Sequence, residues 1–246
     1  MKNERIDKLL FESGLAESIA HAQSLVMAGV ILVDEKRVEK SSETFSPDKK
    51  IRIKTNSFQN KYVSRGGLKL EKALEYFNIC AREYICLDVG ASTGGFTDCL
   101  LQNEAKKVVT IDVGTNQLEW VLRTNKRVEV RENVNARHLE PKDFEEKFDL
   151  IVMDVSFISV TKIFPALVPL LKETGKIICL IKPQFEVKKG EVGKGGIIRD
   201  CEIHHRIVSE INSFVALCNL RVSDVTESPI LGAEGNKEFL ALYERK

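Results

Sequence analysis

Apolar positions in the first 33 residues recur at helical spacing twice, at Ile6, Leu9 and Leu10 and again at Ala20, Leu25 and Val26, with Ser13-Gly14 between the runs. Side chains three and four apart share one face of a helix, so two short helices are predicted. Gly29 stops the second, and Val30-Ile31-Leu32-Val33 followed by Asp34-Glu35-Lys36 reads as a strand and a turn. Lys49–Lys54 alternates charge with Ile51 and Ile53, which predicts a second strand, and the polar stretch Thr55–Lys61 reads as a linker. From Leu68, the positions Leu70, Ala73, Leu74 and Phe77 form one apolar helix face for a second domain, with Lys69 at its edge. Strand-like runs then follow at Tyr84–Val89, Val108–Asp112, Val128–Arg131, Phe148–Val155 and Lys176–Lys182. Helical patterns lie between them near Phe96–Asn103, Asn116–Thr124 and Val160–Glu173. Alternation of this kind predicts a parallel sheet wound on both faces. A longer helix, about Ile203–Cys218, precedes Leu220–Thr226 and Phe239–Tyr243, which are joined only by loop residues and should pair antiparallel. The predicted class is therefore α/β: residues 61–246 form a Rossmann-like seven-stranded domain, and residues 1–60 a small α+β domain with its linker.

A chain of 246 residues with 43% hydrophobic content suits one such domain plus an appendage. Lys+Arg at 37 against Asp+Glu at 36 leaves a formal charge of +1, so nucleic-acid contacts must come from local basic patches, and a histone-like binder is excluded. The six cysteines (Cys80, Cys86, Cys99, Cys179, Cys201, Cys218) contain no CxxC pair and the four histidines no HxxxH set. Neither a zinc site nor a disulfide framework is supported, and reduced packing cysteines are expected. The most apolar stretch, Phe148 to Leu171, is cut by Asp154, Lys162 and two prolines, and Met1–Leu10 is charged. No membrane span and no secretion signal are expected, which predicts a soluble, cytoplasmic protein.

The run Leu87-Asp88-Val89-Gly90-Ala91-Ser92-Thr93-Gly94-Gly95-Phe96-Thr97 begins at the end of the first strand of the large domain and opens a helix. Glycines let a backbone approach a ligand closely, and the first strand-to-helix turn of such a sheet is the expected crevice. The spacing departs from the dinucleotide pattern G-x-G-x-x-G, and an acid stands two residues before the first glycine. A carboxylate there suits the sulfonium and amino acid end of S-adenosylmethionine better than a pyrophosphate. Candidate cofactor contacts are Asp88, Gly90, Ser92, Thr93, Gly94, Gly95 and Phe96, with Asp112 at the end of the second strand for a ribose diol. A glycine turn flanked by two solvated acids is the plainer alternative. Asp154 ends the fourth strand and Lys182 the fifth, so both point to the same crevice, Asp154 also as a cofactor contact. Lys182 follows the apolar run Ile177–Ile181, and a partly desolvated lysine suits a general base; a strand-end lysine reaching solvent is the alternative. Glu238 opens the last strand after Gly235-Asn236-Lys237 and returns a carboxylate to the same edge. A grouping of Lys69, Asp154, Lys182 and Glu238 is possible on this topology, although spacing alone does not prove it.

Five motifs in order, Ser64-Arg65-Gly66-Gly67-Leu68-Lys69-Leu70, the loop Asp88–Phe96, Asp154-Val155-Ser156-Phe157-Ile158-Ser159, Lys182-Pro183-Gln184-Phe185-Glu186 and Gly235-Asn236-Lys237-Glu238-Phe239, together resemble the TlyA family. Its catalytic domain is similar to the FtsJ class of ribose 2′-O-methyltransferases, and the resemblance covers nearly the whole chain. It implies a catalytic tetrad of Lys69, Asp154, Lys182 and Glu238, S-adenosylmethionine as methyl donor, and a ribosomal RNA cytidine, in free RNA or an assembled subunit, as acceptor. On that reading Lys182 is the base, Asp154 and Glu238 orient it, and Lys69 steadies the developing oxyanion or a phosphate. The chain begins directly at Lys2–Arg5 and stops at Lys246, resembling the shorter subtype, which implies modification of the large-subunit site alone.

The N-terminal motif Arg5-Ile6-Asp7-Lys8-Leu9-Leu10, Gly14, Ala22, Leu25-Val26, Gly29-Val30 and Val33 resembles the small RNA-binding domain shared by ribosomal protein S4 and many pseudouridine synthases. Two positions depart from it: Ile19, where an arginine usually follows the serine, and Asp34-Glu35, where Asn-Gly or Asp-Gly is usual. Candidate RNA contacts are Arg5, Lys8, Lys36 and Arg37 here, and Arg65, Lys188, Lys189 and Lys194 in the large domain, the last three around the glycine-rich loop Gly190–Gly196. A purely structural appendage is the alternative, because Glu4, Asp7, Glu12 and Glu17 balance the basic residues. TlyA relatives are often labelled haemolysins, so a membrane-active protein is one rival reading, but no strongly amphipathic basic helix or apolar span supports it. A catalytically silent ribosome assembly factor is the other, and the intact tetrad argues against it.

Overall fold

The computed structural model describes residues 3–16, 18–27, 29–53, 61–188, 190–232 and 235–246. The chain divides into two compact units, Met1–Asn60 and Lys61–Lys246. The linker expected over Thr55–Lys61 lies outside the described residues except for Lys61.

The first unit contains β1 (Glu4–Arg5), α1 (Ile6–Glu12), α2 (Ile19–Met27), β2 (Ile31–Val33), β3 (Lys36–Arg37), β4 (Thr44–Phe45) and β5 (Ile51–Ile53). Both helices fall where the apolar spacing put them, and Ile6, Leu10, Ala22, Val26, Ile31 and Val33 form a small core. β2 pairs antiparallel with β3 and β5, and β1 with β4. The two-residue strands β1, β3 and β4 were not predicted, because two residues carry no readable alternation. Between β2 and β3, Asp34 and Glu35 both take positive φ, +47° and +65°, in a two-residue turn whose twist matches the strands.

The second unit contains α3 (Gly66–Tyr76), β6 (Ile85–Val89), α4 (Gly95–Gln102), β7 (Lys107–Ile111), α5 (Trp120–Arg123), β8 (Val128–Arg131), β9 (Phe148–Met153), α6 (Phe164–Leu167), β10 (Leu171–Ile181), α7 (Pro183–Glu186), α8 (Cys201–Leu217), β11 (Leu220–Glu227) and β12 (Phe239–Arg245). Seven strands form one sheet in the order β11-β12-β10-β9-β6-β7-β8. β10, β9, β6, β7 and β8 run parallel, whereas β12 is antiparallel to both β10 and β11. Alternate residues feed opposite faces, as the two-residue strand period requires. Cys86, Leu150 and Ile178 pack with Leu70 of α3 and Leu100 of α4, while Leu87, Ile151 and Ile177 pack with Phe164 of α6 and Ile211 of α8. The order reverses between β6 and β9, and ligands of such sheets bind outside the carboxyl ends of the strands at that switch.

Two predicted helices are corrected. Residues Val160–Glu173 are not a single helix but a 3-10 turn at Val160–Lys162, the four-residue α6, a second 3-10 turn at Val168–Leu170, and then β10, which already begins at Leu171. Pro165 and Pro169 each sit in a first helical turn, and a proline ring there cannot continue the hydrogen-bond ladder of the turn before it. The helix expected over Asn116–Thr124 shrinks to Trp120–Arg123, with Asn116 at φ +55°.

Candidate active site

β6 runs into the glycine loop with Gly90 at φ +84°, its N–H bonded to the Ile111 carbonyl at 2.8 Å. A Cβ on Gly90 would strike the main-chain carbonyl of Asp154, so only glycine lets this loop lie against the end of β9. Beside it opens a cavity of about 290 Å³. Gly90, Ser92, Thr93, Gly95 and Phe96 line it, joined by Arg65, Lys69, Asp154 and Lys182. Gly94 does not; at φ +98° it packs against Leu118 and Leu122 instead.

Two lysine–carboxylate pairs stand at this crevice. Lys69 Nζ donates to Glu238 Oε2 at 2.5 Å, with both side chains buried. Lys182 Nζ lies 2.5 Å from Asp154 Oδ1 and donates a directed hydrogen bond to Ser156 Oγ at 2.9 Å. α3 delivers Lys69, Asp154 and Lys182 are the residues directly after β9 and β10, and β12 begins just after Glu238. The Lys69 and Glu238 charges, buried together, persist because each has an opposite partner. The four tetrad candidates thus gather as two pairs, and Glu238 takes Lys69 rather than Lys182 as its partner. A Cβ on Gly232 would strike the Glu238 carboxylate, so Gly232 lies hard against that acid.

Asp88 and Asp112, both named above as cofactor contacts, do not line that cavity. Asp88 is fully buried; Oδ2 accepts from Thr97 Oγ1 at 2.6 Å, and Oδ1 has no partner. Burial pushes its carboxyl up to about 7, the Thr97 bonds oppose this, and the negative charges of Asp154 and Asp112 add to it. Asp112 accepts from the N–H of Ser92 at 2.8 Å and of Gly114 at 2.7 Å, which fixes Ser92 at φ +49°.

Sequence reasoning named neither Phe157 nor Glu186 as a site residue. Phe157 is 90% exposed and adopts φ +63°, a conformation costing a bulky residue on the order of 1–3 kcal/mol. Its ring lies 5.0 Å from that of Phe185. An exposed aromatic in the run Asp154–Ser159 was the available signal, but its backbone angle leaves no trace in the residue pattern.

In the first unit, Arg5 is bound to the buried Asp7, whose carboxyl the guanidinium holds down at about 2 against the opposing effect of burial, with Gln23 also bonded to it. Lys8 pairs with Glu4 at 3.5 Å and Arg37 with Glu39 at 3.4 Å, while Lys36 is exposed on β3. Lys188 is exposed; Lys189 and the Lys194 side chain lie outside the described residues. Among the described residues no helix is long and apolar enough to cross a membrane.

Residues 62–245 match the FtsJ-like methyltransferase family. The chain belongs to that family. Residues 4–51 match the S4 domain. The FtsJ-like chain is 45% identical over 240 residues to YqxC of Bacillus subtilis (strain 168), a protein provisionally named an rRNA methyltransferase, covering 97% of this chain and 85% of that one. It is 40% identical over 238 residues to the 16S/23S rRNA (cytidine-2′-O)-methyltransferase TlyA of Mycobacterium tuberculosis (strain CDC 1551 / Oshkosh), covering 97% and 88%. A solved structure from Streptococcus thermophilus, provisionally called a hemolysin, superposes with a TM-score of 0.75 at 42% identity, covering 100% of this chain and 90% of that one. An S4 domain followed by an FtsJ-like methyltransferase domain is therefore the organisation of the molecule.

Proposed function

We propose that this crevice transfers the methyl group of S-adenosylmethionine to the ribose 2′-oxygen of a cytidine in ribosomal RNA, with the large subunit as its expected home. The observation that carries this reading is that the lysines of two lysine–carboxylate pairs, Lys69 with Glu238 and Lys182 with Asp154, line one cavity beside a glycine loop at the switch point of the sheet. The name of the Mycobacterium tuberculosis relative, which includes 23S rRNA, and the S4 domain support the choice of acceptor.

The residues fit the donor. Asp88 carries a buried oxygen with no partner, suited to a cationic amino group, and the bare backbone at Gly90 and Gly95 faces the cavity. Asp112 would take the ribose diol with the lone pairs its two backbone bonds leave free. When bound, S-adenosylmethionine supplies an electrophilic methyl group. Lys182, held by Asp154 and Ser156, takes the proton of the 2′-hydroxyl. Lys69, anchored by Glu238, steadies the negative charge that develops on the oxygen or a neighbouring phosphate. The exposed ring of Phe157 offers a stacking face to the base, and holding hydroxyl and donor together supplies much of the rate.

The test incubates the full chain with radiolabelled donor and with each purified ribosomal subunit, then maps the labelled nucleotide by mass spectrometry. Label on a cytidine ribose of the large subunit is expected. Lys182→Ala should lose about 10²–10⁴ in single-turnover rate while donor affinity stays near normal. Label on a base, or full activity in Lys182→Ala, would refute the mechanism.

A further inference from the structure

Residues 154–159 carry Asp154, Ser156 and Phe157 without any helix or strand to hold them in line. Within them Phe157 keeps a left-handed φ of +63°, which a bulky residue retains only when its surroundings impose it. Four contacts tie this segment to residues 182–186. Lys182 reaches Asp154 and Ser156, the Phe157 ring rests on Phe185, and the N–H of Val160 donates to Glu186 Oε1 at 2.8 Å. The last contact stands apart, because Glu186 closes α7, does not line the cavity, and touches none of the groups assigned to the chemistry.

Val160 opens a 3-10 turn capped by Ser159, whose Oγ accepts from the N–H of Thr161 at 3.3 Å. The Ser159 hydroxyl and the Lys162 charge favour the ionised form of the Glu186 carboxyl, but burial outweighs them and holds it above its ordinary range. A half-buried acid whose hydrogen bond goes to a single backbone N–H is costly unless that bond is needed. The other end of the segment is fixed independently, by the N–H of Asp154 to the Val89 carbonyl at 3.0 Å.

We propose that Glu186 is a positioning residue: by pinning Val160 it fixes the far end of the 154–160 segment and so sets Ser156 and Phe157 in register with Lys182 and Phe185. The role rests on the reading of this crevice as the acceptor site. It requires an oxygen acceptor, not a negative charge, so a glutamine serves and an alanine does not.

The full chain, ribosomal subunits and labelled S-adenosylmethionine test this in single turnovers at saturating donor, with donor affinity by calorimetry and thermal unfolding measured alongside. Glu186→Ala should slow transfer about 10- to 100-fold, the scale of an ångström-sized misplacement, with donor Kd unchanged to within about twofold. Glu186→Gln should restore the rate to within about threefold of wild type, and Phe157→Ala should cost less in the Glu186→Ala background than alone. Wild-type rates in Glu186→Ala, a Glu186→Gln as slow as the alanine, or a loss of donor affinity matching the loss of rate would each overturn the role. A wild-type chain that labels neither subunit overturns the reading of the crevice and this role with it, whereas equal labelling by wild type and Glu186→Ala overturns the role alone.

Discussion

At the scale of single residues, Asp88 has the most distinctive chemistry, a fully buried carboxyl that burial raises to about 7 and whose second oxygen has no partner. A folded value above the ordinary 3.8 means that Asp88 favours the folded state most below about pH 4, and that this contribution is lost as pH rises toward 7. A cationic amino group beside Oδ1 would favour the ionised form, so donor binding near pH 7 should release a proton and tighten as pH rises. Calorimetry in buffers of different ionisation enthalpy reads that proton directly. Asp88→Asn keeps the shape and loses the charge; it should weaken donor binding about 10- to 100-fold, the worth of a hydrogen bond to a charged group, and abolish the release. Unaltered affinity in Asp88→Asn, or binding without proton release in wild type, would move the amino group elsewhere.

At the scale of elements, the β6–α4 loop and the end of β9 fit together only because Gly90 has no side chain and takes φ +84°. Gly90→Ala should cost at least about 1–2 kcal/mol from the backbone angle alone, with a further loss from the contact with the Asp154 carbonyl, and should weaken donor binding in parallel. Thermal unfolding and donor titration check this, and an alanine variant that melts and binds like wild type would deny the close approach. The elements that place this loop were legible: the strands from Ile85 to Ile181 declare themselves as apolar runs, and Asp88, Asp154 and Lys182 can be put at their carboxyl ends by counting. Lys69 and Glu238 were legible as site residues chiefly through motif resemblance, since 169 positions separate them and no periodicity brings a helix edge against the last strand. What stayed hidden is what backbone geometry decides, namely the division of Val160–Glu173 by its prolines, the two-residue strands of the first unit, and the left-handed turn at Phe157. That Glu238 pairs with Lys69 and Asp154 with Lys182 depends on side-chain directions that the order of motifs does not carry.

At the scale of the whole molecule, a chain with a formal charge of +1 has to grip a polyanion with cations that are free to meet it. In the S4 unit much of the basic charge is already committed, because Arg5 holds Asp7, Lys8 holds Glu4 and Arg37 holds Glu39. Arg5 serves the fold first, since removing it would leave the Asp7 carboxylate buried and short of its cation. Lys36 has no such duty, so Lys36→Ala should lower the slope of log affinity against log salt by about one while leaving stability unchanged, whereas Arg5→Ala should destabilise the unit itself. Removal of residues 1–60 leaves a unit with its own sheet and core, in which donor binding should persist. RNA affinity, its salt dependence and methylation should all fall in that variant, because phosphate contacts fix the register of the substrate over the crevice. Titrations of wild type, Lys36→Ala and the shortened chain against ribosomal RNA at several salt concentrations, beside donor calorimetry, decide the matter. Equal RNA affinity and equal methylation by the shortened chain would make the S4 unit structural and return the whole of substrate recognition to Arg65, Lys188 and the crevice.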